Sequence, residues 1–143
     1  VEALFAEYDA LDDNAFERKN EVANTIIEEL RNHAKMEEEI LYPRLKDAFS
    51  KEDDKLVEEA EAEHHAAKVT MTEIKGLSSK DPQFHAKVTV LKEMIAHHVE
   101  EEEKEVLPLM EKQMSEALME TIAEEMTGFK EYASKNFFQK LLK

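Results

Sequence analysis

The chain is 143 residues long, a size that buries about two thirds of the surface of the unfolded chain and supports one domain with a real core. Two glycines and three prolines among abundant Glu, Lys, Ala, Leu and Met favour helix throughout. The absence of cysteine excludes disulfides, thiolate zinc sites, iron–sulfur clusters and thiol catalysis, while a net charge of −15 opposes nucleic acid or anionic membrane as a partner. No apolar run approaches transmembrane length and nothing resembles a signal peptide, so a cytoplasmic location is expected.

Leu4, Phe5, Tyr8 and Leu11 form an apolar stripe that predicts a first helix over roughly 1–12, ended by Asp12, Asp13 and Asn14. The chain opens on Val1 without a Met and reads as starting partway through that helix. A second helix is predicted over about 15–42, with Phe16, Val22, Ile26, Leu30, His33, Glu37 and Leu41 on one stripe. Pro43 is expected to break it, with a short helical turn at 44–49. A third helix, about 53–76, carries Leu56, Ala60, His64, Ala67, Met71 and Ile74.

Gly76 and the Ser78–Asp81 segment punctuate the chain, and Pro82 suits the first turn of a fourth helix, about 82–106. Its stripe is Val88, Leu91, Ile95, His98, Glu102 and Val106, and Pro108 is expected to stop it. A last amphipathic segment, about 112–141, uses Leu118, Ile122, Met126, Phe129 and Phe137/Phe138. Its Phe129, Phe137 and Phe138 could pack within the bundle or across a dimer, so oligomeric state stays open. Short connections imply antiparallel neighbours, giving an all-α, up-down-up-down four-helix bundle with an additional C-terminal helix. The expectation is a single domain over 1–143, with the bundle at about 1–110 and the extension at about 111–143.

One motif occurs twice. Residues 33–43 read HAKMEEEILYP and residues 98–108 read HVEEEEKEVLP, each with a His, a Glu four residues on and a Pro ten residues on. Four residues is just over one helical turn, so His33/Glu37 and His98/Glu102 each present one face. With His64, five polar residues then occupy stripes that packing would give to Leu or Ile. Burying carboxylates among imidazoles costs several kcal/mol per uncompensated charge. Divalent cations resolve the conflict. Mixed imidazole and carboxylate donors suit iron, manganese or zinc and disfavour calcium or magnesium. Two ions about 3.5–4 Å apart would be bridged by Glu37 and Glu102.

The blander reading of each residue is a satisfied core histidine or a solvated acidic face. His65 and His97 sit one step off their stripes and are the alternatives to His64 and His98 as ligands; His85 reads as surface. No H-E-x-x-H zinc-protease helix occurs, nor two Glu-x-x-His motifs of the ferritin-like kind, nor a Gly-rich phosphate loop.

The segments H33-A-K-M-E37-E38…L41-Y42-P43, E63-H64 and H98-V-E-E-E102-E103…L107-P108 resemble the hemerythrin-like, or HHE cation-binding, family, as does the opening VEALFAEYDAL. The resemblance covers about residues 1–110. It implies a four-helix bundle with a non-haem di-iron centre, two oxo- or hydroxo-bridged iron ions, for which manganese or zinc could substitute. His33, Glu37, His64, His98 and Glu102 match the family's ligands, with the two glutamates as bridges. The family's first-helix His has no counterpart, because it would fall before Val1. Oxygen-carrying members also place two His four residues apart on the third helix, where Ala60 and Lys68 flank His64 here. The implied function is binding or sensing of oxygen or another diatomic gas such as nitric oxide. The alternatives are a di-iron redox enzyme acting on nitric oxide or peroxide, which would need an electron-donor protein, and a non-catalytic iron-responsive interaction module.

Overall fold

The structure is a computed structural model that describes residues 1–141, with side chains through Glu131. Every regular element among the described residues is helical: α1 (Glu2–Asp9), α2 (Phe16–Met36), α3 (Tyr42–Ala48), α4 (Asp54–Lys75), α5 (Pro82–Glu101), α6 (Leu107–Gln113) and α7 (Glu116–Leu141). A π-helical turn, Glu37–Leu41, joins α2 to α3 without a break, and another, Glu102–Val106, joins α5 to α6. The all-α expectation and the additional C-terminal helix are therefore met. No described helix is long and apolar enough to cross a membrane.

The chain divides into two compact units, each drawn from both halves of the sequence. One comprises Val1–Arg31 and Ala62–Glu100. Its core holds Phe5, Tyr8, Val22, Ile26, Ile27, Leu30, Ala67, Met71, Ile74, Phe84, Val88 and Leu91, close to the stripes read from the sequence. Short connections fold α2 back on α1 and α5 back on α4. Contacts from Glu73 to Lys87, Thr70 to Met94 and His64 to His98 step in opposite directions along α4 and α5, as antiparallel helices require.

The other unit comprises Asn32–Glu61 and Glu101–Lys143. Its core is Leu41, Tyr42, Leu45, Phe49, Val57, Ala60, Val106, Met110, Met114 and Ile122. Val57 takes the buried position expected for Leu56. On α7, Leu118 and Met126 pack against this core beside the buried Ile122, as the stripe predicted, and Met119 joins them; Phe129 is half-buried, and Phe137 and Phe138 lie outside the described side chains. The α3–α4 turn is tied to α6 through Gln113, whose Nε2 donates to Asp53 Oδ2 at 2.5 Å and whose Oε1 accepts from the Ser50 N–H at 3.2 Å.

The expected stops at Pro43 and Pro108 do not occur. Proline lacks an N–H, and its ring clashes with the carbonyl four residues back, which would kink an α-helix. Here the ladder opens by one residue just before each proline. The Tyr42 N–H donates to Glu37 O and the Leu107 N–H to Glu102 O, five residues back. Each proline then falls in the first turn of the next α-segment, where no N–H is needed. The helices finally end at Phe49 and Met114, both with extended backbone.

Candidate metal centre

Both copies of the motif fold the same way, position for position. The π turn begins on the glutamate, the proline follows six residues later, and the helix ends sixteen residues after the histidine. The aligned side chains advance in fours: His33, Glu37, Leu41, Leu45, Phe49 and His98, Glu102, Val106, Met110, Met114. In an uninterrupted α-helix a step of four rotates about 40°, so such a row would wind off its face. The extra residue of the π turn absorbs about 100° of that drift. The sequence reading missed these turns, although the uninterrupted run of fours beside a proline was their signal.

In the second unit, donor atoms of His33, Glu37 and Glu102 all lie within 4.8 Å of one another. His33 Nε2 is 3.0 Å from Glu37 Oε1. Glu37 is 1% exposed, and its carboxylate charge must be balanced at close range. His33 supplies that balance when protonated; a cation would supply it whatever the protonation of the ring. The His33 side chain itself is 50% exposed, which corrects its expected place on the inward stripe. Measured from the buried Leu30, helical rotation brings Ala34 and Glu37 back to the inner face, while His33 falls about 60° to one side. Only its Nε2 turns inward.

In the first unit, His64 and His98 are each 7% exposed, with Nε2 atoms 3.2 Å apart and ring centroids at 4.7 Å. Two nitrogens bound to one ion at about 2.0–2.1 Å, at right-angle to tetrahedral openings, stand roughly 2.8–3.4 Å apart. The observed spacing falls within that range and is equally that of a hydrogen bond between the two rings. Glu63 Oε2 lies 3.8 Å from His98 Nδ1, on the far side of the ring from that contact. That distance is longer than a hydrogen bond, so Glu63 acts on the ring only as a nearby acidic group. The sequence reading gave Glu63 no such part. Being next to His64, it showed no periodicity of its own.

The neighbouring candidates separate by burial. His65 and His97 are exposed, whereas His64 and His98 are not. Leu30 and Leu91 belong to the first core and Ile95 packs against it, while Ile40 packs against the second. His85 is exposed as expected, yet its ring stacks on Tyr8 at 5.8 Å and its Nδ1 lies 3.2 Å from the tyrosine hydroxyl. Burial raises the Tyr8 pKa, with Asp9 adding to it, so the phenol stays neutral in that contact, whose direction follows the His85 tautomer.

Nitrogen and carboxylate donors at these spacings fit a transition-metal or zinc ion, whereas calcium or magnesium would favour all-oxygen shells. Fold and donors together define a helical metal-binding protein. The chain belongs to the hemerythrin HHE cation-binding domain family, whose model matches residues 1–110. It is 25% identical over 103 residues to an uncharacterized hemerythrin-like protein of Schizosaccharomyces pombe, covering 72% of this chain and 51% of that one. It is also 28% identical over 130 residues to a DNA nickase of Nostoc sp., covering 91% of this chain and 36% of the nickase. The chain thus spans about a third to a half of these relatives' lengths. The nickase match necessarily reaches past residue 110 and into α7. No solved structure matches the chain.

Proposed function

We propose that this domain holds two iron ions with His33, Glu37, His64, His98 and Glu102 and uses them to bind oxygen or another diatomic gas. The observation that carries the reading is the doubled His–Glu motif, each copy with its π turn at the glutamate, in a chain of the HHE cation-binding family. The imidazole–carboxylate donor set supports iron, with manganese or zinc as substitutes. Bound iron would supply the redox-active, gas-binding chemistry, since no side chain of this chain does so. The protein's part is to present neutral imidazoles and two carboxylates. Leu30 and Leu91, kept in one apolar core, Ile95, packed against it, and Ile40, packed against the other, limit access of water.

A cytoplasmic setting and a single domain over 1–143 belong to the same proposal and rest on the sequence. Nucleic acid does not belong to it. The nickase's name describes a protein of which this chain matches 36%, and the charge of −15 opposes approach to DNA.

Metal analysis after anaerobic loading with ferrous ion, followed by optical spectra on adding and removing oxygen, tests the proposal. About two irons per chain and a spectral change that reverses when oxygen is withdrawn are expected. One metal or none per chain would overturn the two-iron site. An irreversible change, or steady consumption of peroxide or nitric oxide with an electron donor, would favour the enzymatic alternative.

A further inference from the structure

The C-terminal helix α7 lies beyond the residues matched by the family model, yet it packs directly on the first π turn. Its apolar face, Leu118, Met119, Ile122 and Met126, meets the core that contains Leu41, Tyr42, Leu45, Val106 and Met110. Those residues follow Glu37 and Glu102 within two turns. On the flank, Arg44 Nη2 donates to Glu125 Oε1 at 2.7 Å, joining α7 to the segment just after the turn. A π turn has one more residue than the α-helix it interrupts, so it persists where packing on its downstream side over-determines it. The turn begins on Glu37, and its geometry sets where that carboxylate points.

We infer that α7 is a clamp on the metal site: by seating on the first π turn it holds Glu37 in ligating position, so metal binding and α7 docking stabilise each other. The inference rests on the metal reading of His33, Glu37 and Glu102. All the groups it uses, ligands, turn and clamp, lie in the second compact unit. The coupling must run both ways, because a ligand that favours the docked state is itself favoured by docking. The nickase relative's similarity reaches into this helix, consistent with a part that belongs with the site.

Hydrogen exchange read by mass spectrometry, on the full chain with and without stoichiometric ferrous ion under anaerobic conditions, tests it without any substitution. Amides of residues 116–131 should exchange several-fold more slowly in the loaded protein, whereas those of residues 16–27, remote in sequence from the π turn, should change least. In a second arm, Ile122→Ala should weaken ferrous binding on the order of tenfold, within the usual range of coupling between sites. Metal taken up with no change over 116–131 would overturn the clamp while leaving the metal site standing. No uptake of metal would overturn the site and the clamp together.

Discussion

The His33 imidazole stands half in solvent with Nε2 3.0 Å from Glu37, whereas His64 and His98 are buried ring against ring. The same residue type therefore carries different structural weight at the three positions. Removing the His33 ring costs little packing but takes this partner from the buried Glu37 carboxylate, a loss of about 1–3 kcal/mol. Removing a buried one leaves a cavity and costs roughly 2–4 kcal/mol. His33→Ala should thus lose less stability than His64→Ala in the metal-free protein, and both should lose metal uptake. Paired melting curves and metal analyses check this; undiminished uptake by His33→Ala would remove it from the ligand set. His64 and His98 were legible in the sequence because each sits in register with buried aliphatics. The exposure of His33 was not legible, since a stripe read from Ile26 tolerates an error of half a helix face. Glu63 and the Tyr8–His85 stack carry no periodic signal, and only packing reveals them.

The helices were legible as elements wherever apolar residues recur at helical spacing, and the bounds of α4 and the start of α5 follow the stripes closely. Proline misled the reading. It predicts a stop only if the preceding ladder stays α-helical, and a turn widened by one residue accommodates the ring. This has a consequence that a deletion can expose. Glu39 is an exposed residue within the first π turn, and a π turn equals an α-helix with one residue inserted. Deleting Glu39 together with Pro43→Ala should return the segment to plain α-helix while keeping Leu45 and Phe49 on their buried face. Deleting exposed Glu59 from the uninterrupted α4 should instead rotate the remainder of the helix by about 100° and unfold its packing. Circular dichroism and thermal melts should find the first variant folded and the second severely destabilised. Metal affinity should fall in the first as well, because Glu37 no longer sits at a π turn. A first variant as unstable as the second would show that the turn is not a simple one-residue insertion.

At the scale of the molecule, two distinct electrostatic features could each respond to cations, and they need separating. The first is diffuse: 34 acidic against 19 basic residues leave an excess of 15 negative charges that repel one another in the folded state. Opposing this are exposed ion pairs between helices, such as Lys92–Asp9, Lys87–Glu73, Lys46–Glu61 and Arg44–Glu125, each worth about 0–1 kcal/mol and weakened by the same salt. Screening shortens from about 30 Å at 0.01 M to about 8 Å at 0.15 M ionic strength, a change that relieves long-range repulsion more than contacts at ion-pair distance. The metal-free protein should therefore melt several degrees higher at 0.15 M salt than at 0.01 M. The second feature is local, the imidazole–carboxylate donors, and it discriminates by ligand type rather than by charge. Millimolar magnesium should then do no more than sodium chloride of matched ionic strength, since its preferred shell is all oxygen. Stoichiometric ferrous or zinc ion, which adds negligibly to ionic strength, should raise the melting temperature further by mass action on the folded state. The comparison is one set of thermal melts at fixed protein concentration. If magnesium matched ferrous ion, the acidic surface would account for the cation response, and the histidines would have no part in it.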